Sequence, residues 1–147
     1  MDNISKAKVY ALRLLTLRQR SIGELQTKMQ QKGYDEHIIK QVLIYLEEYR
    51  LVDDYKYATQ LVESMLNKSR PIGMIRIKQE LKKRKINPGI IDKVMSGIDD
   101  ANELMRAQDL VNKTINSGNK EYNWQRLAGL LQRRGFSYDT IRTILAN

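Results

Sequence analysis

The sequence has no cysteine, one histidine and two prolines among its 147 residues. Without cysteine the chain can form no disulfide, thiolate metal site or thiol nucleophile. Because proline is so scarce, long helices are permitted along almost the whole chain. No apolar run approaches the roughly 18 residues that a membrane span requires, and residues 1–6 lack the apolar segment of a signal peptide. We therefore expect a cytoplasmic protein without a membrane segment.

Residues that could carry catalysis or bind a metal are also few. The single histidine, His37, has no partners at ligand spacing, so we expect no metal site. The adjacent pair Asp53 and Asp54 is better explained by helix capping than by catalysis. The sequence contains no phosphate-binding glycine loop and no nucleophile elbow. It therefore predicts neither an enzyme nor a cofactor.

The excess of positive charge indicates the kind of partner. Lys and Arg number 26 against 17 Asp and Glu, which gives a net charge of +9. A surplus of this size favours a polyanionic partner, most commonly nucleic acid, with acidic protein surfaces or anionic lipid as alternatives.

One pattern of eight residues occurs three times along the chain. The copies are offset by 52 and then by 50 residues, and seven of the eight positions keep their chemical type. The copies are Leu25, Met29, Gly33, Tyr34, Asp35, Ile39, Val42 and Leu43; Ile77, Leu81, Lys85, Ile86, Asn87, Ile91, Val94 and Met95; and Leu127, Leu131, Gly135, Phe136, Ser137, Ile141, Ile144 and Leu145. Such a period is typical of tandem structural repeats.

Each copy predicts two helices joined by a tight turn. The first two apolar residues share one helix face, and the last three mark the inner face of a second helix. Gly33 and Gly135 suit the left-handed residue that ends a helix, whereas Lys85 predicts a different helix end in the middle copy. The expected structural caps are Ser21, Asp35, Asp53, Asp54, Asn87 and Ser137.

A further helix precedes each of these hairpins. Its apolar residues recur as Ala11, Leu14 and Leu15, as Ala58, Leu61 and Val62, and as Ala107, Leu110 and Val111. We therefore predict an all-α fold of nine helices in three tandem three-helix, helix-turn-helix-like repeats. Their expected bounds are residues 1–52, 53–99 and 100–147.

Basic residues are concentrated in the middle repeat, which carries a net charge of +4, against +3 for the first repeat and +2 for the third. If Ile77 and Leu81 face the core, basic side chains line the exposed faces of the same helix. We interpret twelve basic residues as candidate contacts to a partner, the alternative being an ordinary solvated surface. They are Lys68, Arg70, Arg76, Lys78, Lys82, Lys83, Arg84 and Lys85, with the flanking pairs Arg18 and Arg20, and Arg133 and Arg134.

Five segments carry a recognisable signature. They are Tyr10–Leu15, Arg20–Leu25, Lys32–Tyr34, Leu51–Ala58 and Arg76–Leu81. In order and spacing they resemble the RecX family of recombination regulators. The segment LVDDYKYA is similar to the family's LxDDxxFA joint, and RIKQEL is similar to its RIxxEL helix. The resemblance covers essentially the whole chain, although Lys85 replaces a common glycine and residues 116–122 match little.

The resemblance implies a function as well as a fold. It implies an elongated, curved array of repeats that binds the groove of a RecA filament on single-stranded DNA. There the protein would inhibit the ATPase, recombinase and strand-exchange activities of RecA, within DNA repair, recombination and the SOS response. RecA is the implied partner, direct contact with single-stranded DNA stays open, and we expect a monomer.

Two other classes of protein compete with this interpretation. A free-standing DNA-binding protein could use its helix-turn-helix-like hairpins as readers. The predicted second helices, however, expose few base-reading residues beyond Lys40, Gln41 and Lys93. An enzyme acting on nucleic acid would need a constellation of carboxylates or histidines that the sequence lacks.

Overall fold

A computed structural model of the chain describes residues 1–118 and 122–146. Within these ranges the chain forms nine α-helices and no strand, which confirms the predicted all-helical class. The weakly matching stretch 116–122 contains residues 119–121, which lie outside the described residues. The helices are α1 Asn3–Leu17, α2 Ile22–Lys32, α3 Glu36–Glu48, α4 Asp54–Leu66, α5 Met74–Lys83, α6 Pro88–Met95, α7 Asp100–Ser117, α8 Trp124–Arg133 and α9 Tyr138–Leu145.

The chain folds into two compact units. The first unit comprises Met1–Thr59 with Leu81–Ile91, and the second comprises Gln60–Glu80 with Asp92–Asn147. Helices α4, α5 and α6 therefore contribute residues to both units. The predicted repeat bounds fall between α3 and α4 and between α6 and α7. The division into three repeats itself stays a prediction.

Apolar helix faces form a core in each unit. In the first unit, Leu25 and Met29 lie one turn apart on α2 and are fully buried against residues of α1 and α3. In the second unit, Leu131 and Phe136 are buried with residues of α7. Burial of each large apolar side chain contributes about 1.5–3 kcal/mol. These clusters therefore hold the helices of each unit together.

Side-chain caps start most of the helices. A side-chain oxygen of the capping residue accepts the N–H three residues on at Asp2, Ser21, Asp35, Asp53, Asp99, Asn123 and Ser137. Asn87 accepts from the N–H of Gly89, two residues on. Asp54 does not cap its own helix as expected, because it is the first residue of α4. Its carboxylate instead accepts a hydrogen bond from the N–H of Ile22 at the start of α2.

The turn after α5 closes in the same way as the turns after α2 and α8. The φ of Lys85 is 57°, in the left-handed region, against 100° for Gly33 and 86° for Gly135. The Lys85 N–H donates to the Lys82 carbonyl at 2.9 Å, and the two glycines make the equivalent bond. The expectation of a different helix end was therefore wrong. The backbone geometry is kept, at a cost of about 1–2 kcal/mol for a residue that has a Cβ.

Candidate functional site

In the first unit, the start of α2 is covered by the turn that follows α5. The Ser21 hydroxyl donates to the carbonyl of Arg84, and a Cβ on Gly23 would collide with the carbonyl oxygen of Lys85. The Asp54 carboxylate accepts from the Ile22 N–H at 3.0 Å. Burial raises the pKa of Asp54, and the charges of neighbouring carboxylates raise it further. The hydrogen bond from the Ile22 N–H acts in the opposite direction but does not cancel the rise. This joint fixes the backbone that carries Arg84 and Lys85.

Glu103 makes the corresponding contact in the second unit. Its carboxylate, only 2% exposed, accepts from the N–H of Met74 at 2.7 Å and from that of Ser137 at 3.2 Å. The hydroxyls of Ser137 and Thr140 also donate to it, at 2.7 and 2.6 Å. Burial alone would raise the pKa of Glu103, but these hydrogen bonds outweigh burial and hold the pKa below its ordinary value. One carboxylate thus fixes the starts of both α5 and α9.

Asp54 and Glu103 occupy the same position of the repeat pattern. Each lies four residues before the recurrent alanine of its helix, and Ala7 stands at that position in α1. A carboxylate therefore occurs there in α4 and α7, which follow an earlier hairpin, and not in α1. Sequence reasoning missed Glu103. The shared spacing of Asp54 and Glu103 from the recurrent alanine was the sequence feature that could have identified it.

The loop before α5 in the second unit is fixed by cationic side chains. The carbonyls of four consecutive residues, 69–72, accept hydrogen bonds from three cationic side chains. Lys113 donates to Ser69 at 2.8 Å, Arg134 to Arg70 at 2.6 Å and to Pro71 at 3.1 Å, and Arg106 to Ile72. Because loop carbonyls lack helical partners, buried ones need such donors. Arg134, a predicted partner contact, is therefore engaged within the chain.

Four more predicted contacts are engaged within the first unit. Arg18 pairs with Glu24 at 2.8 Å, Arg20 donates to the Leu14 carbonyl at 3.3 Å, Arg84 to the Tyr57 hydroxyl at 3.0 Å and Lys85 to the Thr27 hydroxyl at 2.7 Å. The hydrogen bond to Glu24 raises the pKa of Arg18. Arg20 is only 9% exposed. These side chains stabilise the first unit, which weakens them as candidates for binding a partner.

The other seven predicted residues are exposed. They are Lys68, Arg70, Arg76, Lys78, Lys82, Lys83 and Arg133. On α5, Ile77 and Leu81 are fully buried, while Lys78 and Lys82 lie one turn apart and face solvent. The structure thus leaves α5 with the basic surface that the sequence predicts.

Arg70 and Arg133 come together in the second unit, where they line one cleft with Arg126. Arg76 lies close by, with its Nη1 3.5 Å from the Arg133 carbonyl. Arg126 was missed by sequence reasoning because it is a lone basic residue in α8, far from Arg70 along the chain. We call Arg70, Arg126 and Arg133 the arginine cleft.

Within residues 1–118 and 122–146, no group of three or more His, Asp or Glu side chains is arranged to hold a metal ion. His37 lies beside Gln41 instead, with Nε2 2.9 Å from the amide nitrogen. Nor, in that same part of the chain, is any helix long and apolar enough to cross a membrane.

The helices and their repeated joints define the class of protein, which is an all-helical protein built from tandem three-helix repeats. Two family models match the chain, the RecX first three-helix domain at residues 7–46 and the RecX second three-helix domain at residues 53–95. The chain belongs to the RecX family.

Several known proteins are similar to most of the chain. A regulatory protein RecX from Mycolicibacterium smegmatis is 34% identical over 97% of this chain and 81% of the relative. Another, from Chlorobaculum tepidum, is 31% identical over 94% of this chain and 85% of the relative. The crystal structure of RecX from Lactobacillus salivarius has a TM-score of 0.84 at 27% identity, covering 97% of this chain and 94% of that one. Both sequence relatives are named as regulatory proteins.

Proposed function

We propose that this protein binds the RecA recombinase filament on single-stranded DNA and inhibits its ATPase, recombinase and strand-exchange activities. Membership of the RecX family supports a regulatory role. RecA is the target that the resemblance described above implies. The observation that carries the proposal is helix α5, where Arg76, Lys78 and Lys82 are exposed while Ile77 and Leu81 are buried.

The basic surface of α5 suits a polyanionic filament. Lys78 and Lys82 are four residues apart on one helix, and like charges at this spacing oppose helix formation by about 0.2–0.5 kcal/mol per pair. Phosphates or carboxylates of a partner would offset this repulsion. We infer that α5 faces either the acidic surface of the filament or its DNA phosphates.

Tandem repeats also suit a long, regular partner. Repeats at 1–52, 53–99 and 100–147 would offer a series of contacts to successive RecA protomers. Several weak contacts along one ligand act together through effective concentration. Occupation of the groove would block entry of a second duplex and hinder the movements that accompany nucleotide turnover. In this proposal the protein acts as a cytoplasmic monomer, without catalysis or a cofactor of its own.

Charge reversal on α5 tests the proposal. The variant Lys78→Glu with Lys82→Glu is compared with the wild type by co-sedimentation with RecA filaments on single-stranded DNA at moderate salt. We expect at least about tenfold weaker binding, which corresponds to about 1.4 kcal/mol, because two attractive contacts become repulsive. The matched control is Lys6→Glu with Lys28→Glu, two exposed lysines on α1 and α2 whose reversal changes the net charge equally.

The control should bind almost as the wild type does, because its lysines lie on α1 and α2 and not on the proposed contact helix α5. Unchanged binding of the α5 variant, or an equal loss in the control, would contradict the role of α5. Binding that needs DNA but not RecA, with the salt dependence of counterion release, would instead indicate a free-standing DNA-binding protein.

A further inference from the structure

The arginine cleft of the second unit has the composition of an anion site. It encloses about 400 Å³, and Tyr122, Gln125 and Thr114 line it beside the three arginines. None of its described lining residues is acidic. Guanidinium groups match phosphate oxygens with paired hydrogen bonds, so three of them around one cavity favour a phosphate-bearing ligand.

The backbone beneath Arg70 is held in place before any ligand arrives. Arg134 donates to the carbonyls of Arg70 and Pro71, and Lys113 donates to that of Ser69. A loop that is already fixed loses little conformational entropy when its side chains bind, which strengthens the binding. The pKa of Arg134 is lowered by burial and then by the charges of Arg70 and Arg76. The smaller contributions to this lowering, which come from Arg70 and Arg76, reflect positive charge that a bound anion would offset.

Gly129 lies beside Arg133 in the cleft. The glycine lies inside α8, where it destabilises the helix relative to alanine. A Cβ at this position would lie 3.2 Å from Nη1 of Arg133. The guanidinium therefore lies close to the glycine, and an alanine would require its Nη1 to shift by a few tenths of an ångström.

We propose that the arginine cleft binds one nucleoside phosphate unit, with its phosphate on Arg70, Arg126 and Arg133 and its base against Tyr122 and Gln125. Aromatic rings bind bases by stacking with little sequence preference. The volume of the cleft is in the range that holds a ligand of this size. Two sources share this chemistry, a single DNA strand and a free nucleoside triphosphate. The site can exist whether or not the protein regulates RecA, and its test contains no RecA.

The test measures binding of three probes to the full chain: a fluorescein-labelled oligo(dT), ATP and inorganic pyrophosphate. Anisotropy reports the oligonucleotide, and the fluorescence of Trp124 reports the other two. Trp124 is the single tryptophan, next to Gln125, and is 66% exposed. The variant Arg126→Gln should bind its ligand at least about tenfold more weakly. The matched control Arg142→Gln removes an exposed arginine that pairs with Asp139 and should bind as the wild type does.

Gly129→Ala provides a second variant, in which the substitution favours the helix. It should raise the melting temperature, because alanine favours the helix, and it should weaken binding less than Arg126→Gln does, because Arg133 need shift only slightly. Loss confined to the oligonucleotide would assign the cleft to a DNA strand, and loss for ATP and pyrophosphate would assign it to free nucleotides. Wild-type binding by Arg126→Gln, an equal loss in Arg142→Gln, or no binding of any probe would overturn the proposal.

Discussion

Removal of the Glu103 carboxylate should destabilise the second unit strongly. Glu103→Ala leaves the N–H groups of Met74 and Ser137 without their acceptor, at a position that is 2% exposed. Each unsatisfied buried donor costs about 1–3 kcal/mol, so the two together cost about 2–6 kcal/mol. For a chain of this size the melting temperature should fall by roughly 5–20 °C. Glu103→Gln keeps one acceptor oxygen and should cost less.

Urea denaturation followed by circular dichroism and Trp124 fluorescence measures this loss. Trp124 lies in α8 and therefore reports on the second unit. The control is Glu63→Ala, an exposed acid of the second unit on α4, which should change stability by less than about 0.5 kcal/mol. A loss below about 1 kcal/mol for Glu103→Ala would refute the reasoning, because one unsatisfied buried donor alone should exceed it.

The lowered pKa of Glu103 predicts that the stability of the protein depends on pH. Because the pKa of Glu103 is lowered in the folded protein, its ionised form contributes stability above the pKa of an unfolded glutamate. This contribution is lost as the pH falls through the lowered pKa of the folded state. Between neutral and strongly acidic pH, the wild type should therefore lose more stability than Glu103→Gln.

Two further substitutions test the joint of the first unit. The pKa of Asp54 is raised, so its contribution to stability is fully present below the pKa of an unfolded aspartate and is lost as the pH rises through the higher folded pKa. Asp54→Asn keeps an acceptor for the Ile22 N–H and should leave the melting temperature at neutral pH unchanged or higher, whereas a clear fall would contradict the account. Lys85→Gly should stabilise the protein by about 1 kcal/mol, because glycine adopts a left-handed backbone freely. A lower melting temperature would show that the bond from Lys85 to Thr27 matters more than the backbone.

The hairpins could be predicted from the sequence because their signals are local. A left-handed glycine and a capping oxygen act within a few residues, and Gly33 with Asp35 shows both. The error at Lys85 has a tertiary cause. Its backbone packs against Gly23, far away in sequence, and the joint keeps a conformation that local propensity disfavours.

The candidate site was predictable only in part, for a related reason. Residue type identified Lys78 and Lys82 as basic, and their exposure follows from the helix period. Residue type could not separate them from Arg20 and Arg84, which donate to groups of their own chain. Likewise Arg126 gains its place only when the fold brings α8 to the loop of Arg70. The positive charge of the chain is thus shared between internal joints and exposed surface.

The most direct test of the central claim is the rate of ATP hydrolysis by the cognate RecA on single-stranded DNA, with this protein titrated in. The account predicts that the rate falls at substoichiometric amounts of protein, because several RecA protomers of one filament are affected by each bound molecule. A rate that stays unchanged up to a molar excess, while the protein binds DNA without RecA, would contradict it.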